Sequence, residues 1–275
     1  MAQVKKITTL MLLMLAFSLS GWAQIPEAPS AVRLPHEDYT TKILQFISIK
    51  ESDEPSDNQY GANDTIDRRS VMNSAVALNE TDVQAIQEWP SDQDFSKYFT
   101  EIRDERFMET ESEFPRRSTW LYPDDGCYAR AAISNSRSEA MGLPAPSRVF
   151  VFGNLNVKTA NSLWGSVTWW YHVAVSYRIQ DVVYIIDPSV DPLKPLPLEE
   201  WLNFMGDSSQ MQVAFCSAGA YSPNSSCLNA EPLSYEQSLQ AQKPFLRYEW
   251  KRLQDLGRDP ESELGDNPPW GRTIH

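Results

Sequence analysis

The sequence predicts an α+β fold, and three stretches carry that prediction. Phe95, Tyr98, Phe99 and Ile102 fall at i, i+3, i+4 and i+7, the apolar face of a helix. DGCYARAAISNSRSEAMG (125–142) reads as a second helix, starting near Gly126 and stopped by Gly142. RVFVFGNL (148–155), TWWYHVAVSY (168–177) and DVVYIIDPS (181–189) have the β-branched and aromatic content of strands, and a short polar turn at 178–181 makes the last two a hairpin. This order predicts a helix carrying Cys127 packed on an antiparallel sheet.

Taken in chain order, residues 1–23 read as a signal peptide. Lys5 and Lys6 give a positive start, residues 7–19 are apolar but short for a bilayer, and Gly21 and Ala23 suit a cut before Gln24. Residues 24–38 are Pro-rich and read as extended, and YTTKILQFISIK (39–50) reads as a strand. ESDEPSDNQYGAND (51–64) is an acidic linker without core periodicity, followed by the protease-sensitive pair Arg68-Arg69. Thr81 is read as the cap of a helix over TDVQAIQEW, and Ser91 with Asp94 as a capping box for the next. Pro197 opens a helix that Gly206 ends, and two more helices are expected from Ser234 and after Pro244. These readings divide the chain into a removable segment at 24–80, a main domain at 81–255 and a loose tail at 256–275.

Composition bounds the function. Hydrophobic residues make up 41% and charged residues 22%, which excludes collagen-like, coiled-coil and wholly disordered chains. The formal net charge of −13 leaves no basic surface to neutralise phosphates, so neither nucleic acid nor an anionic membrane is expected as a partner. There is no HExxH, CxxC or clustered His for zinc and no GxxxxGK[ST] loop for phosphate, so neither metal nor cofactor is expected.

The three cysteines are an odd count for an exported chain. Cys216 and Cys227 flank CSAGAYSPNSSC, a loop that a disulfide can close, which leaves Cys127 as the free thiol. At a helix start, unpaired amides and the positive end of the dipole favour a thiolate. The amides of Cys127 and Tyr128 are also candidates to receive an oxyanion. A thiolate nucleophile needs a base. His36 precedes the linker and His275 ends the chain, which leaves His172 in its strand. With the hairpin turn centred near Ile179, Asp187 faces His172 at about 5 Å between Cβ atoms and can fix the imidazole tautomer. Asp124 and Asp125 oppose thiolate formation, and Arg130, one turn along the helix, is placed to anchor one of them. The bland alternatives are an inert buried Cys127 and a His172–Asp187 pair that serves structure alone.

Strand alternation puts Trp170 on the His172 face, making it the candidate for a substrate pocket, while Trp169 and Tyr171 point the other way. Asn154, beside Gly153 in VFGNL, and Tyr122, ahead of the helix, are the other substrate-binding candidates. Core packing and a plain tight turn are the alternatives for these positions.

The blocks YPDDGCYARA (122–131), VFGNL (151–155), WWYHVAVSY (169–177) and IIDPS (185–189), in that order, resemble the bacterial protein-glutamine glutaminases. The resemblance covers roughly residues 90–190 and implies a papain-related, transglutaminase-like core. It implies Cys127 as nucleophile, His172 as general base and acid, and Asp187 as the group that orients His172. The implied reaction is deamidation of glutamine side chains in proteins or peptides, giving glutamate and ammonia without a cofactor. The resemblance further implies a secreted or periplasmic protein made with a signal peptide and an inhibitory pro-segment, hence an activating protease as partner. The processed form is expected to be a monomer away from membranes. A transglutaminase, a cysteine protease or a cell-wall amidase would use the same triad, and a secreted binding protein on this fold is the non-enzymatic alternative.

Overall fold

The structure, a computed structural model, describes residues 28–34, 36–52 and 70–271, with side chains left aside at 47–52. The expected signal peptide at 1–23, nearly all of the expected acidic linker, Arg68-Arg69 and His275 lie outside the described residues.

An antiparallel sheet forms the centre. Its strands are β1 (Val76–Ala77), β2 (Ser147–Lys158), β3 (Ser166–Ile179), β4 (Val182–Ile186), β5 (Leu196–Pro197) and β6 (Gln212–Cys216), in the order β1-β6-β2-β3-β4-β5. Together with the helices this makes an α+β fold, as the sequence predicts. β2 and β3 are buried along most of their length, so their continuous apolar runs fit strands covered on both faces. Arg148 on β2 is buried and ties the sheet inward, its guanidinium donating to the carbonyls of Ala131 and Ala218. That burial lowers its pKa to about 9.

The helix α2 (Phe95–Asp104) buries Tyr98, Phe99 and Ile102, the face its spacing predicts. Its cap is Asp94, whose carboxylate accepts from the Ser96 and Lys97 amides, rather than Ser91. The central helix α3 (Cys127–Ala140) begins after Gly126. Glycine is required there on two counts: φ is +82°, and a Cβ would stand 2.9 Å from the Phe245 ring. The helix α4 (Leu198–Asn203) starts after Pro197 as expected.

Five expectations are corrected. The stretch at 39–50 is not a strand but part of helix α1 (Tyr39–Ser52). Tyr39, Ile43 and Phe46 share a helical stripe that packs on the core, a 3.6-residue period hidden under β-branched content. No α-helix forms over 81–89. Asp82 instead caps a single 3₁₀ turn at Val83–Ala85. The helices expected from Ser234 and after Pro244 are one helix, α5 (Tyr235–Asp255), opened by a Ser234–Gln237 capping box. Pro244 costs it one backbone bond, but on the exposed face, where water can serve the carbonyl left behind. The tail is not loose up to Gly271. It forms α6 (Pro260–Leu264), Arg116 donates to the carbonyls of Leu264 and Asp266, and Trp270 packs on Trp250. Finally, residues 70–77 are built into the core rather than set apart from it: Val71 is fully buried and β1 pairs with β6.

Cys216 and Cys227 form the disulfide. Its loop holds the chain at 71–72, where the Val71 and Met72 amides donate to the carbonyls of Ser225 and Pro223. Among the described residues no helix is long and apolar enough to cross a membrane.

Candidate active site

The hairpin register differs from the expected one. The turn is at Gln180–Asp181, and Val175 pairs with Ile186. Asp187 therefore follows the last paired residue and is level with Ala174, one pleat away from His172. The side chains still meet, the Asp187 Oδ2 lying 2.7 Å from the His172 Nε2. Two further donors hold the carboxylate: the Trp201 indole N–H to Oδ2 at 3.0 Å and the Ser189 hydroxyl to Oδ1 at 2.5 Å. Burial pushes the Asp187 carboxyl up, but the imidazole and these hydrogen bonds outweigh it and bring the pKa down to about 2. Asp187 is thus an anion fixed against Nε2, while the buried His172 Nδ1 has no hydrogen-bond partner.

The ring of His172 is sandwiched. Trp169 lies against it with centroids 4.4 Å apart and planes 12° apart, and Trp201 approaches from another side at 5.7 Å. The tryptophan on His172 is therefore Trp169, not Trp170. The reading by strict alternation does not hold here, and β2 carries a bulge between Phe152 and Leu155, opposite this part of β3. Trp170 packs instead on Phe46 and Phe152 and donates to the Ser30 carbonyl.

Cys127 opens α3 and is 2% exposed. The backbone of Val173 on β3 lies near its sulfur, so the thiol is set against the stretch of β3 next to His172. Burial pushes the thiol up to about 12. Arg130 draws it down and Asp125 pushes it up further. In the first turn of α3, which Cys127 opens, backbone amides point out along the helix axis, an arrangement that suits an oxyanion.

Arg130 works otherwise than expected. Its guanidinium donates to the carbonyls of Tyr122 and Asp125 at 3.1 and 2.9 Å, while Asp124 pairs with Arg252. Tyr122 packs on Phe245 and Tyr248 of α5. Asn154 sits exposed at the β2 bulge.

The site is covered by the chain's own N-terminal part. β4 pairs only with residues 175–179 of β3, and residues 31–33 run antiparallel beside residues 168–170. The Arg33 amide donates to the Thr168 carbonyl and the Trp170 amide to the Ala31 carbonyl. Tyr171 donates to the Pro29 carbonyl, and Ser30 and Ala31 lie close to Asp125, two residues before Cys127. A separate hollow of about 750 Å³, lined by Leu78, Val83, Val183, Leu198 and Met211, contains none of the three candidate residues. Among the described residues no three His, Cys, Asp or Glu side chains are grouped to hold a metal ion.

Residues 95–205 match the family model described as glutaminase. Over this part the chain is similar to the glutaminases. The matched segment runs from α2 through α4 and so includes Cys127, His172 and Asp187. Similar solved structures include a mutant of pro-protein-glutaminase, at 25% identity over 56% of this chain and 56% of that one, with a TM-score of 0.43. Another is protein-glutaminase from Chryseobacterium proteolyticum, at 24% identity over 56% of this chain and 84% of that one, with a TM-score of 0.42. The chain thus spans 56% of the length of the pro-protein-glutaminase it matches. No curated protein matches it.

Sequence reasoning missed Trp169, Trp201 and Ser189. Ser189 was legible, since a serine two residues after an aspartate favours a local side-chain turn. Trp201 reaches Asp187 from the start of α4, a tertiary approach with no sequence period behind it.

Proposed function

We propose that the chain is a secreted cysteine hydrolase that deamidates glutamine side chains in proteins or peptides, and that it is made as an autoinhibited proenzyme. The observation that carries this reading is the state of His172: Nε2 tied to an anionic Asp187 and Nδ1 unpaired, on the strand against which the helix opened by Cys127 packs. The match to the glutaminase family over the same residues supports it.

In this reading His172 takes the proton from Cys127 through Nδ1. The thiolate attacks the carboxamide carbon of a glutamine, and first-turn amides of α3 hold the oxyanion. His172 then gives its proton to the leaving ammonia. Water deprotonated by the same imidazole hydrolyses the thioester and leaves glutamate. Asp187 keeps the imidazole in one tautomer and stabilises its protonated form. Cleaving a main-chain amide or accepting an amine would use the same groups; the glutaminase match favours the side-chain amide and water.

The inhibitory part is the segment ahead of Ser70. Residues 28–34 lie along β3 and against Asp125, and Phe46 stacks on Trp170. Because Val76 and Ala77 pair with β6 and the Val71 and Met72 amides are held by the disulfide loop, the activating cut belongs before Ser70. A disulfide and the N-terminal apolar segment support export.

The test is incubation of casein with the intact chain, with the chain after limited proteolysis, and with processed Cys127→Ser. Ammonia from the processed chain alone, without new peptides or crosslinks, is the expected result. Peptides or crosslinks in place of free ammonia would reassign the reaction.

A further inference from the structure

The loop ahead of the nucleophile is gripped by a helix that lies outside the glutaminase match. Gln242, Phe245, Glu249 and Arg252 fall three or four residues apart on one face of α5. Gln242 Nε2 donates to the Thr119 hydroxyl at 2.6 Å. The Phe245 ring closes on Gly126. Glu249 Oε1 accepts from the Leu121 amide at 2.8 Å and from Arg117 at 3.4 Å. Arg252 pairs with Asp124 and also donates to the Asn161 carbonyl. From the opposite side, Arg130 on α3 holds the Tyr122 and Asp125 carbonyls.

A carboxylate that is 2% exposed is costly unless its partners are fixed, so Glu249 holds Leu121 rigidly. We propose that this face of α5 is a clamp that sets the position of Cys127, with Glu249 as its principal positioning residue. The clamp acts at residues 119–126 and fixes where the first turn of α3 points its thiol and amides. The proposal rests on the glutaminase reading for its effect on turnover, but its effect on the thiol is separate.

The test compares Glu249→Leu with Glu249→Gln in the full chain after the same limited proteolysis, reading kcat, KM and the pH profile of Cys127 alkylation by iodoacetamide. Glu249→Gln keeps an acceptor for the Leu121 amide and stays within about threefold of wild type in kcat. Glu249→Leu lowers kcat at least tenfold with KM within about twofold, and displaces the alkylation profile. A folded Glu249→Leu with wild-type kcat and alkylation overturns the clamp. So do equal losses in both variants, which would assign the effect to charge rather than to the grip on Leu121. If Glu249→Leu does not fold, Arg252→Met, at the more open end of the same face, must show the same loss in kcat and the same change in alkylation, and normal values there overturn the proposal. If processed wild type alkylates at Cys127 but releases no ammonia, the glutaminase reading fails, and the alkylation profiles alone decide the clamp.

Discussion

The Trp169 ring lies flat on the His172 ring, 4.4 Å away, while its indole N–H donates to the Pro123 carbonyl at 2.9 Å. One side chain therefore links the imidazole to the loop that leads into the nucleophile helix. Trp169→Ala is expected to destabilise the protein by about 3–5 kcal/mol and to cut turnover sharply. Trp169→Phe retains a stacking ring and should retain most of the activity. Denaturant unfolding and kcat for the pair check this, and equal activity in both variants would deny the stack a role.

Asp187 gives the fold a pH dependence of defined sign. Its pKa of about 2 is below the ordinary value of 3.8, so its contribution is complete above about pH 4 and is lost as pH falls toward 2. That contribution is on the order of 2 kcal/mol. Unfolding measured across this window should show the loss in wild type and lack it in Asp187→Asn. In turnover, Asp187→Asn should cost less than His172→Ala, because it disturbs orientation and leaves the base in place.

The thiol gives a second pH signature. In the covered chain burial holds Cys127 near a pKa of about 12, so alkylation of the intact chain should be slow at neutral pH and climb with pH. Cys216 and Cys227 are joined, so the label reports Cys127. After limited proteolysis the profile should move to lower pH. An unchanged profile would show that residues 28–46 do not control the site.

Breaking the Cys216–Cys227 bridge by double alanine substitution should lower stability by about 2–3 kcal/mol. Because its loop holds Val71 and Met72, the loss should fall on processed protein as well as intact protein. Calorimetry on both forms checks this, and no change in either would make the bridge dispensable.

Much of the site was legible because its chemistry is local in sequence. Gly126 and Gly142 bracket α3, and elimination among three histidines leaves His172. The His172–Asp187 contact was expected, although from a hairpin turn placed one residue too early. A diagonal reach between neighbouring pleats makes up the difference. What was not legible is tertiary. Trp169 rather than Trp170 lies beside the imidazole, opposite a β2 bulge that leaves no periodic mark. The stripe of Tyr39, Ile43 and Phe46 was masked by residues that also suit strands. The face of α5 was hidden by Pro244, which reads as a break until the packing on both sides of it is seen.

The central claim is that Cys127, with His172 behind it, exchanges a glutamine side-chain amide for water. The most direct measurement is mass spectrometry of a glutamine-containing peptide incubated with the processed chain in heavy-oxygen water. The account predicts an intact backbone with one glutamine converted to glutamate, a single labelled oxygen in that side chain, and no conversion by Cys127→Ser. Label at a newly formed peptide C-terminus, or unaltered glutamine beside an alkylatable Cys127, would contradict it.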